Sequence, residues 1–184
     1  MVVATNNKNK LEEIRNILKI DNLYSLKDKN IAIDVVEDRD TFLENAKKKA
    51  IEIYNVVQEP VIADDSGLCI KCLDGFPGVK THRFLVSSSN EEKNDYLIKE
   101  VNKYDNREAS FICVIVYYDG KEFIECERKL DGFIADSRRG NNGFGFDEIF
   151  ELANGLTLAE LSDEEKNHIS ARYLALRELK QRLS

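Results

Sequence analysis

The spacing of apolar positions along this chain switches between a strand-like and a helical period, and each switch marks an element. Val2, Val3 and Ala4 form a short strand-like run, after which Leu11, Ile14 and Leu18 recur at helical spacing. The polar segment TNNKNK between them reads as the turn that joins a strand to a helix. A second apolar run, Ile31 to Val36, predicts another strand. Thr41 and Glu44 then stand at capping-box spacing, ahead of a helical face made by Leu43, Ala46, Ala50, Ile53 and Val57. Pro60 stops that helix, and the run that opens VIADDSGL predicts a third strand that ends in Asp64 and Asp65.

A loop rich in turn residues, LDGFPGVKTHRF, precedes an acidic helical stretch near Asn90 to Lys103. Ser110 to Tyr118 is a β run, Asp119 and Gly120 carry the two-residue hairpin signature, and Glu122 to Glu127 returns as the partner strand. Arg138 to Gly145 is rich in glycine, and a helix with Leu176, Leu179 and Leu183 on one side closes the chain. Strand and helix alternate at first and a hairpin follows, so the expected fold is α/β of the mixed, α+β-like kind, with helices flanking a mixed sheet. With 184 residues, 42% of them hydrophobic, the chain suffices for one domain spanning 1–184, folded as one body or as two lobes around a cleft.

Composition narrows the function classes. The sequence holds no apolar run of about 20 residues and no charged leader behind Met1, so a membrane span and a secretory signal are both unexpected, and the cytoplasm is the expected location. Cys69 and Cys72 have CxxC spacing, but no second pair accompanies them, and Cys113 and Cys126 fall in alternating, strand-like surroundings. Buried free thiols are the expectation for all four, not zinc, redox chemistry or disulfides. The net charge of −7 argues against a nucleic-acid surface. Positive charge is local, at Lys8 and Lys10, at Lys47 to Lys49, and at Arg138 with Arg139, which suits a small polyanion better than a polymer.

Four segments could carry chemistry. Thr5, Asn6, Asn7, Lys8, Asn9 and Lys10 offer a hydroxyl, amides, ammoniums and backbone N–H groups at a helix N-terminus, where an anion binds; the alternative is an ordinary capped helix start. No Walker motif is present, since the glycines and the GK[ST] end are absent. Asp64 and Asp65, at the rim of a sheet, could seat Mg²⁺ and an activated water, or could be a polar strand end with turn-forming neighbours. Adjacent residues in an extended chain point to opposite sides, so one carboxylate would serve the metal or water while the other supports the backbone. In Gly143 to Asp147, GFGFD, two aromatics around a glycine form either one wall of a slot for a flat ring or a hydrophobic turn packed in the core. In KNHISAR, Lys166 and Arg172 could donate to carbonyl oxygens of a base, or lie in solvent; His168 reads as an exposed helix-start residue.

Taken in order, ATNNKNKLEEI, TFLENAKKKA, VIADDSGL, GFPGV, RRGNNGFGFDEIF, and AELSDEEKNHIS followed by AR resemble the inosine triphosphate pyrophosphatase family over nearly the whole chain. That resemblance implies an elongated mixed sheet with two lobes around a nucleotide cleft, a homodimer, and Mg²⁺-dependent hydrolysis of ITP, dITP and XTP to the monophosphate and pyrophosphate. It further implies that Thr5, Asn7 and Lys10 hold the triphosphate beside Ser66, and that Lys49 contacts phosphate. Asp65 is then metal ligand and proton acceptor with Asp64 in support, and a further acidic residue ahead of the TFLENA helix, Glu37 in preference to Asp34, is the second metal carboxylate. Phe144, Gly145, Phe146 and Asp147 would stack on and read the base, with Lys166, Ala171 and Arg172 as the C-terminal readers. Three positions depart from the family pattern: Ala171 replaces a usual histidine, Phe146 a Tyr or Trp, and Glu148 a Pro. The rivals are a septum-inhibitor-type nucleotide pyrophosphatase acting on pyrimidine or modified triphosphates, and a nucleotide sensor without turnover.

Overall fold

A computed structural model of the chain describes residues 1–81 and 83–184, so position 82 of the LDGFPGVKTHRF loop lies outside the described residues. Six strands form one mixed sheet: β1 (Val2–Val3), β2 (Tyr24–Ser25), β3 (Val61–Ile70), β4 (Glu108–Tyr118), β5 (Phe123–Ile134) and β6 (Phe150–Glu151), in the order β2-β1-β3-β4-β5-β6. β1 pairs in parallel with β2 and with β3, and β5 pairs antiparallel with β6. The helices are α1 (Lys8–Leu18), α2 (Phe42–Val57), α3 (Asn90–Val101), α4 (Asp163–Ile169) and α5 (Ala171–Leu183).

The chain divides into two compact units, one made of Met1–Ser66, Cys113–Arg128 and Ala171–Ser184, the other of Gly67–Ile112 and Lys129–Ser170. In the first unit, Val2, Val3, Val61 and Ile62 form a parallel strand core that is buried on both faces, as expected where helices cover a parallel sheet. Helix α1 packs against α5, burying Ile14 and Leu18 on one and Ala175, Leu176 and Leu179 on the other. The second unit has its own core of Leu68, Ile70, Leu97, Val101, Ile134, Phe146, Ile149 and Phe150.

Most sequence-derived elements are present, with local causes that can be named. The Thr41 side chain caps α2 by accepting from the Glu44 N–H at 3.1 Å, and the helix ends at Val57 with Gln58 left-handed, ahead of Pro60. At the hairpin, Asp119 Oδ1 accepts from the N–H groups of Lys121 and Glu122, each at 2.9 Å. Gly120 there has a φ of +95°, and a Cβ on it would strike the Tyr54 phenol, so glycine is required twice over. Of the four cysteines, Cys113 and Cys126 are buried and Cys69 and Cys72 half-buried, all as free thiols.

Two expectations are corrected. Ile31 to Val36 forms no strand; its side chains alternate between half-buried and exposed, and β1 is already paired on both edges by β2 and β3. Nor does β3 end at Asp65. It runs on to Ile70 because Leu68 and Ile70 are buried in the second unit's core, so the aspartates sit within a strand and not at a sheet rim.

Candidate active site

In the first unit, chemistry gathers around the middle of β3. Asp64 and Asp65 are 2% and 1% exposed, and a carboxylate so far from water must be paired or must change its proton affinity. The two residues take these different courses. Lys10 is buried with Ile14 and Leu18 on one face of α1, and its Nζ meets Asp64 Oδ2 at 2.8 Å. Burial alone would raise the Asp64 pKa, but Lys10, Arg172 and Lys49 outweigh it and hold the group well below the usual carboxylate range. Asp65 lies on the other side of the strand. Burial, then the nearby charge of Glu37, pushes its pKa up to about 7 against the pull of Lys49 and Lys10.

The oxygens of Asp65 are unequal. Oδ1 accepts from the Ser66 N–H at 2.9 Å, whereas Oδ2 is buried with no hydrogen-bond partner among the described residues. Lys49, from α2, donates to the Asp64 carbonyl at 2.6 Å and pairs with Glu37 at 2.5 Å. Burial lowers the Lys49 pKa, but Asp64 and Glu37 more than offset this and raise it. Glu37 itself sits on irregular backbone that α2 holds from three points. Asn45 accepts from the Arg39 N–H at 2.9 Å, Lys48 donates to the Val36 carbonyl at 2.7 Å, and Lys49 takes the carboxylate.

These residues fit a divalent cation. An orphaned buried carboxylate oxygen beside a second carboxylate is an oxygen donor set with room for substrate oxygens, which is how Mg²⁺ is usually held. Among the described residues no cluster of three or more His, Cys, Asp or Glu is placed to cage a metal. Such a site would therefore need the substrate to complete it.

The turn before α1 has the form expected of a helix N-terminus. Asn7 caps it, its side chain accepting from the Asn9 and Lys10 N–H groups at 3.0 and 3.3 Å, and Thr5 Oγ1 accepts from the Asn7 N–H at 3.2 Å. Asn6, Lys8 and Asn9 are exposed. Arg172, at the start of α5, lies in this same unit: it donates to Ser66 Oγ at 3.1 Å, pairs with Glu13 at 2.5 Å and stands 3.9 Å from Asp64. Ala171 beside it is buried.

The second unit holds the remaining candidates. Gly143 and Gly145 have φ of +76° and +69°, which folds the chain back so that Asp147 Oδ2 accepts from the Phe144 N–H at 2.8 Å. A Cβ on Gly143 would run into that carboxylate. The same Oδ2 takes Lys166 Nζ at 2.7 Å, and the ammonium lies 4.8 Å from the centroid of the Phe144 ring. Lys166 reaches there from α4, whose Ser162 and Glu165 form a capping box. Phe146 is buried, stacked on Phe84 at 6.1 Å, so the two aromatics of GFGFD part: Phe146 belongs to the core while Phe144 stays half-exposed. His168 is exposed, as expected, but in the last turn of α4 and not at a helix start.

Sequence reasoning missed Glu13, Asn45 and Asn94. Each left a sign: Glu13 stands three residues beyond Lys10 on α1, while Asn45 and Asn94 are polar residues on otherwise apolar helical faces, where a buried amide implies a partner.

Comparison with known proteins finds relatives that match nearly the full length of the chain. The sequence model of the Ham1 family matches residues 1–182. A dITP/XTP pyrophosphatase of Clostridium perfringens (strain 13 / Type A) is 43% identical, covering 99% of this chain and 96% of that protein. One from Clostridium tetani (strain Massachusetts / E88) is 38% identical over 100% and 95%. The solved structure of a HAM1 protein from Coxiella burnetii superposes with a TM-score of 0.91 at 34% identity, covering 99% of this chain and 96% of that one.

Proposed function

Since the chain belongs to the Ham1 family, we propose that it hydrolyses the non-standard purine triphosphates ITP, dITP and XTP to the monophosphate and pyrophosphate, clearing them from the nucleotide pool. One observation carries the chemistry: Asp65 presents a buried, unpartnered carboxylate oxygen, with a pKa near 7, beside Lys10 and Lys49. The open oxygen is the place where this carboxylate can take a proton from water. Asp65 and Glu37 would hold Mg²⁺, which when bound supplies positive charge to the phosphate oxygens.

The chain's own residues do the rest. Lys10, Lys49, Thr5 and the N–H groups at the start of α1 bind the phosphates and offset charge that builds on the departing pyrophosphate. Ser66 Oγ accepts from Arg172, which leaves its own proton to be given to a phosphate oxygen. Asp64 stays ionised and keeps Lys10 in place. Phe144 stacks on the base, and Lys166 with backbone N–H groups of the Gly143 to Asp147 turn donates to the 6-oxygen; Ala171 and Arg172 complete the substrate-binding set. Adenine presents a donor at that position, and a buried donor facing a donor costs about 1–3 kcal/mol. We infer a single catalytic domain spanning 1–184, acting as a homodimer in the cytoplasm.

The test is to incubate the protein with ITP, XTP, dITP, ATP, GTP and dTTP, with Mg²⁺ or EDTA, and to assay pyrophosphate against orthophosphate. Pyrophosphate from ITP and XTP, lost with EDTA, is expected. Orthophosphate as the first product would overturn the cleavage position. A preference for dTTP would point to the septum-inhibitor type, and tight ITP binding without turnover to a sensor.

A further inference from the structure

We propose that Asn94, on α3, is a positioning residue for base selectivity: it fixes the direction of the Gly145–Phe146 peptide, and so aims the Phe146 N–H as a donor to the purine 6-oxygen. This rests on the reading of the Gly143 to Asp147 turn as the base site.

Asn94 shares an α3 face with Leu97, Ile98 and Val101, and is fully buried there. Its Nδ2 donates to the Gly145 carbonyl at 3.0 Å and lies 3.4 Å from Glu148 Oε2. Both neighbours are acceptors only, which settles that the nitrogen faces them. The Oδ1 is buried and has no partner among the described residues, so this amide is not at its most comfortable; an apolar residue would fill the stripe at lower cost. What an apolar residue could not supply is the bond to Gly145. Glu148 is itself held, 3.5 Å from Arg138, so one of the two acceptors that meet the amide is anchored independently of it.

Gly145 needs that anchor. A Cβ placed on it would meet nothing within 4 Å, and glycine populates either sign of φ readily, so the peptide that follows is held by packing only on its Phe146 side, where the ring is in the core. On the near side the turn is pinned by Asp147, which holds the Phe144 N–H and Lys166. On the far side Asn94 is the only described side chain that bonds the Gly145 carbonyl. A trans peptide is planar with its C=O and N–H opposed, so once the carbonyl points to Asn94 the Phe146 N–H must point the other way. That N–H bonds to no described residue, and a donor so placed recognises an oxygen and rejects an amino group.

The prediction separates substrates by one atom. ITP and GTP share the 6-oxygen, while ATP lacks it. Asn94→Asp, isosteric but unable to donate to Gly145, and Asn94→Ser, the smaller change, should lower the ITP-to-ATP ratio of kcat/KM by about tenfold, the size of one hydrogen bond. The loss should lie in KM for ITP, and the ITP-to-GTP ratio should stay within about twofold. Unfolding midpoints confirm that each variant is folded at the assay temperature, and Phe144→Ala serves as the control for the turn. If Phe144→Ala leaves KM for ITP unchanged, the turn is not the base site, and both that reading and this inference fail. If Phe144→Ala raises KM but the Asn94 variants leave the ITP-to-ATP ratio alone, or lower all three substrates by one factor, Asn94 is structural and the inference alone is overturned.

Discussion

The middle of β3 and the turn from Gly143 to Asp147 handle buried polar groups by opposite means. Around Asp64 and Asp65 the arrangement is made of whole charges: three cations and three carboxylates lie close enough that the proton affinities of Asp64 and Asp65 move in opposite directions. In the turn the charges are fewer, and backbone direction carries the arrangement, through two left-handed glycines, one N–H held by Asp147 and one carbonyl held by Asn94. A centre of the first kind is suited to making and moving charge. One of the second kind is suited to telling one flat ring from another. If the division is real, changes in the first region should strike turnover on every substrate alike, and changes in the second should redistribute turnover among substrates.

The largest effect should follow from Asp65→Asn. Loss of the proton acceptor should cut kcat by about a thousandfold or more for ITP and XTP together, with nucleotide binding largely kept; retained turnover would sink the assigned role. The same change should stabilise the fold, because the raised pKa means that the folded state holds a proton the unfolded chain has already lost. From about pH 4, where an unfolded aspartate ionises, up to about pH 7, unfolding therefore releases a proton and stability falls as pH rises. Asparagine removes that burden, so the variant should gain about 1–3 kcal/mol at pH 7–8 and little at pH 4, read by denaturant unfolding in metal-free buffer. Asp64 has the opposite sign: its contribution is present above the unfolded pKa and is lost only as pH falls below the ordinary carboxylate range.

Lys10→Met should come next. It strands Asp64 in the interior with Arg172 3.9 Å away as its nearest remaining ion-pair partner, and removing one member of a buried pair costs about 3–5 kcal/mol. Adding Asp64→Asn should recover most of the stability but none of the lost kcat/KM. Recovery of both would show that the pair serves folding alone.

The strand-turn-helix at the N-terminus, the cap of α2, the hairpin and the closing helix could all be read from sequence because each is fixed by local chemistry: a cap, a turn residue or a period. What escaped were features fixed by distant parts of the chain. β3 continues past Asp65 because Leu68 and Ile70 have a core to enter, and Ile31 to Val36 stays irregular, its side chains no more than half-buried and the central strand β1 already paired by β2 and β3. The same holds at the site. Asp64 and Asp65 stood out as a pair, but which of them would be paired and which left open depended on Lys10 turning inward on α1, at a position where the helical pattern offered Leu11. Phe144 and Phe146 looked equivalent in GFGFD, and only Phe84 and Phe111 around the second ring assign it to the core.

Lys166→Met tests the turn from the side that Asn94 does not touch. It removes a cation that pairs with Asp147 and overlies Phe144, so ITP-to-ATP selectivity should fall about tenfold while kcat on ITP changes less than threefold. An equal loss on all substrates would move Lys166 into the charged, catalytic group and blur the division.

The smallest shift is expected from Ala171→His, which restores the residue usual at that position in the inosine triphosphate pyrophosphatase family. Ala171 is 4% exposed at the first position of α5, so an imidazole must displace its neighbours, and overpacking of this kind costs about 1–3 kcal/mol. A histidine that did reach the base would act chiefly on the 6-oxygen, which ITP and GTP share, so the ITP-to-GTP ratio of kcat/KM should stay within about twofold. A larger movement would mean that position 171 senses the 2-amino group. Selectivity would then belong to the first unit as well as to the turn, and the contrast between a region that reacts and a region that reads would have to be redrawn there.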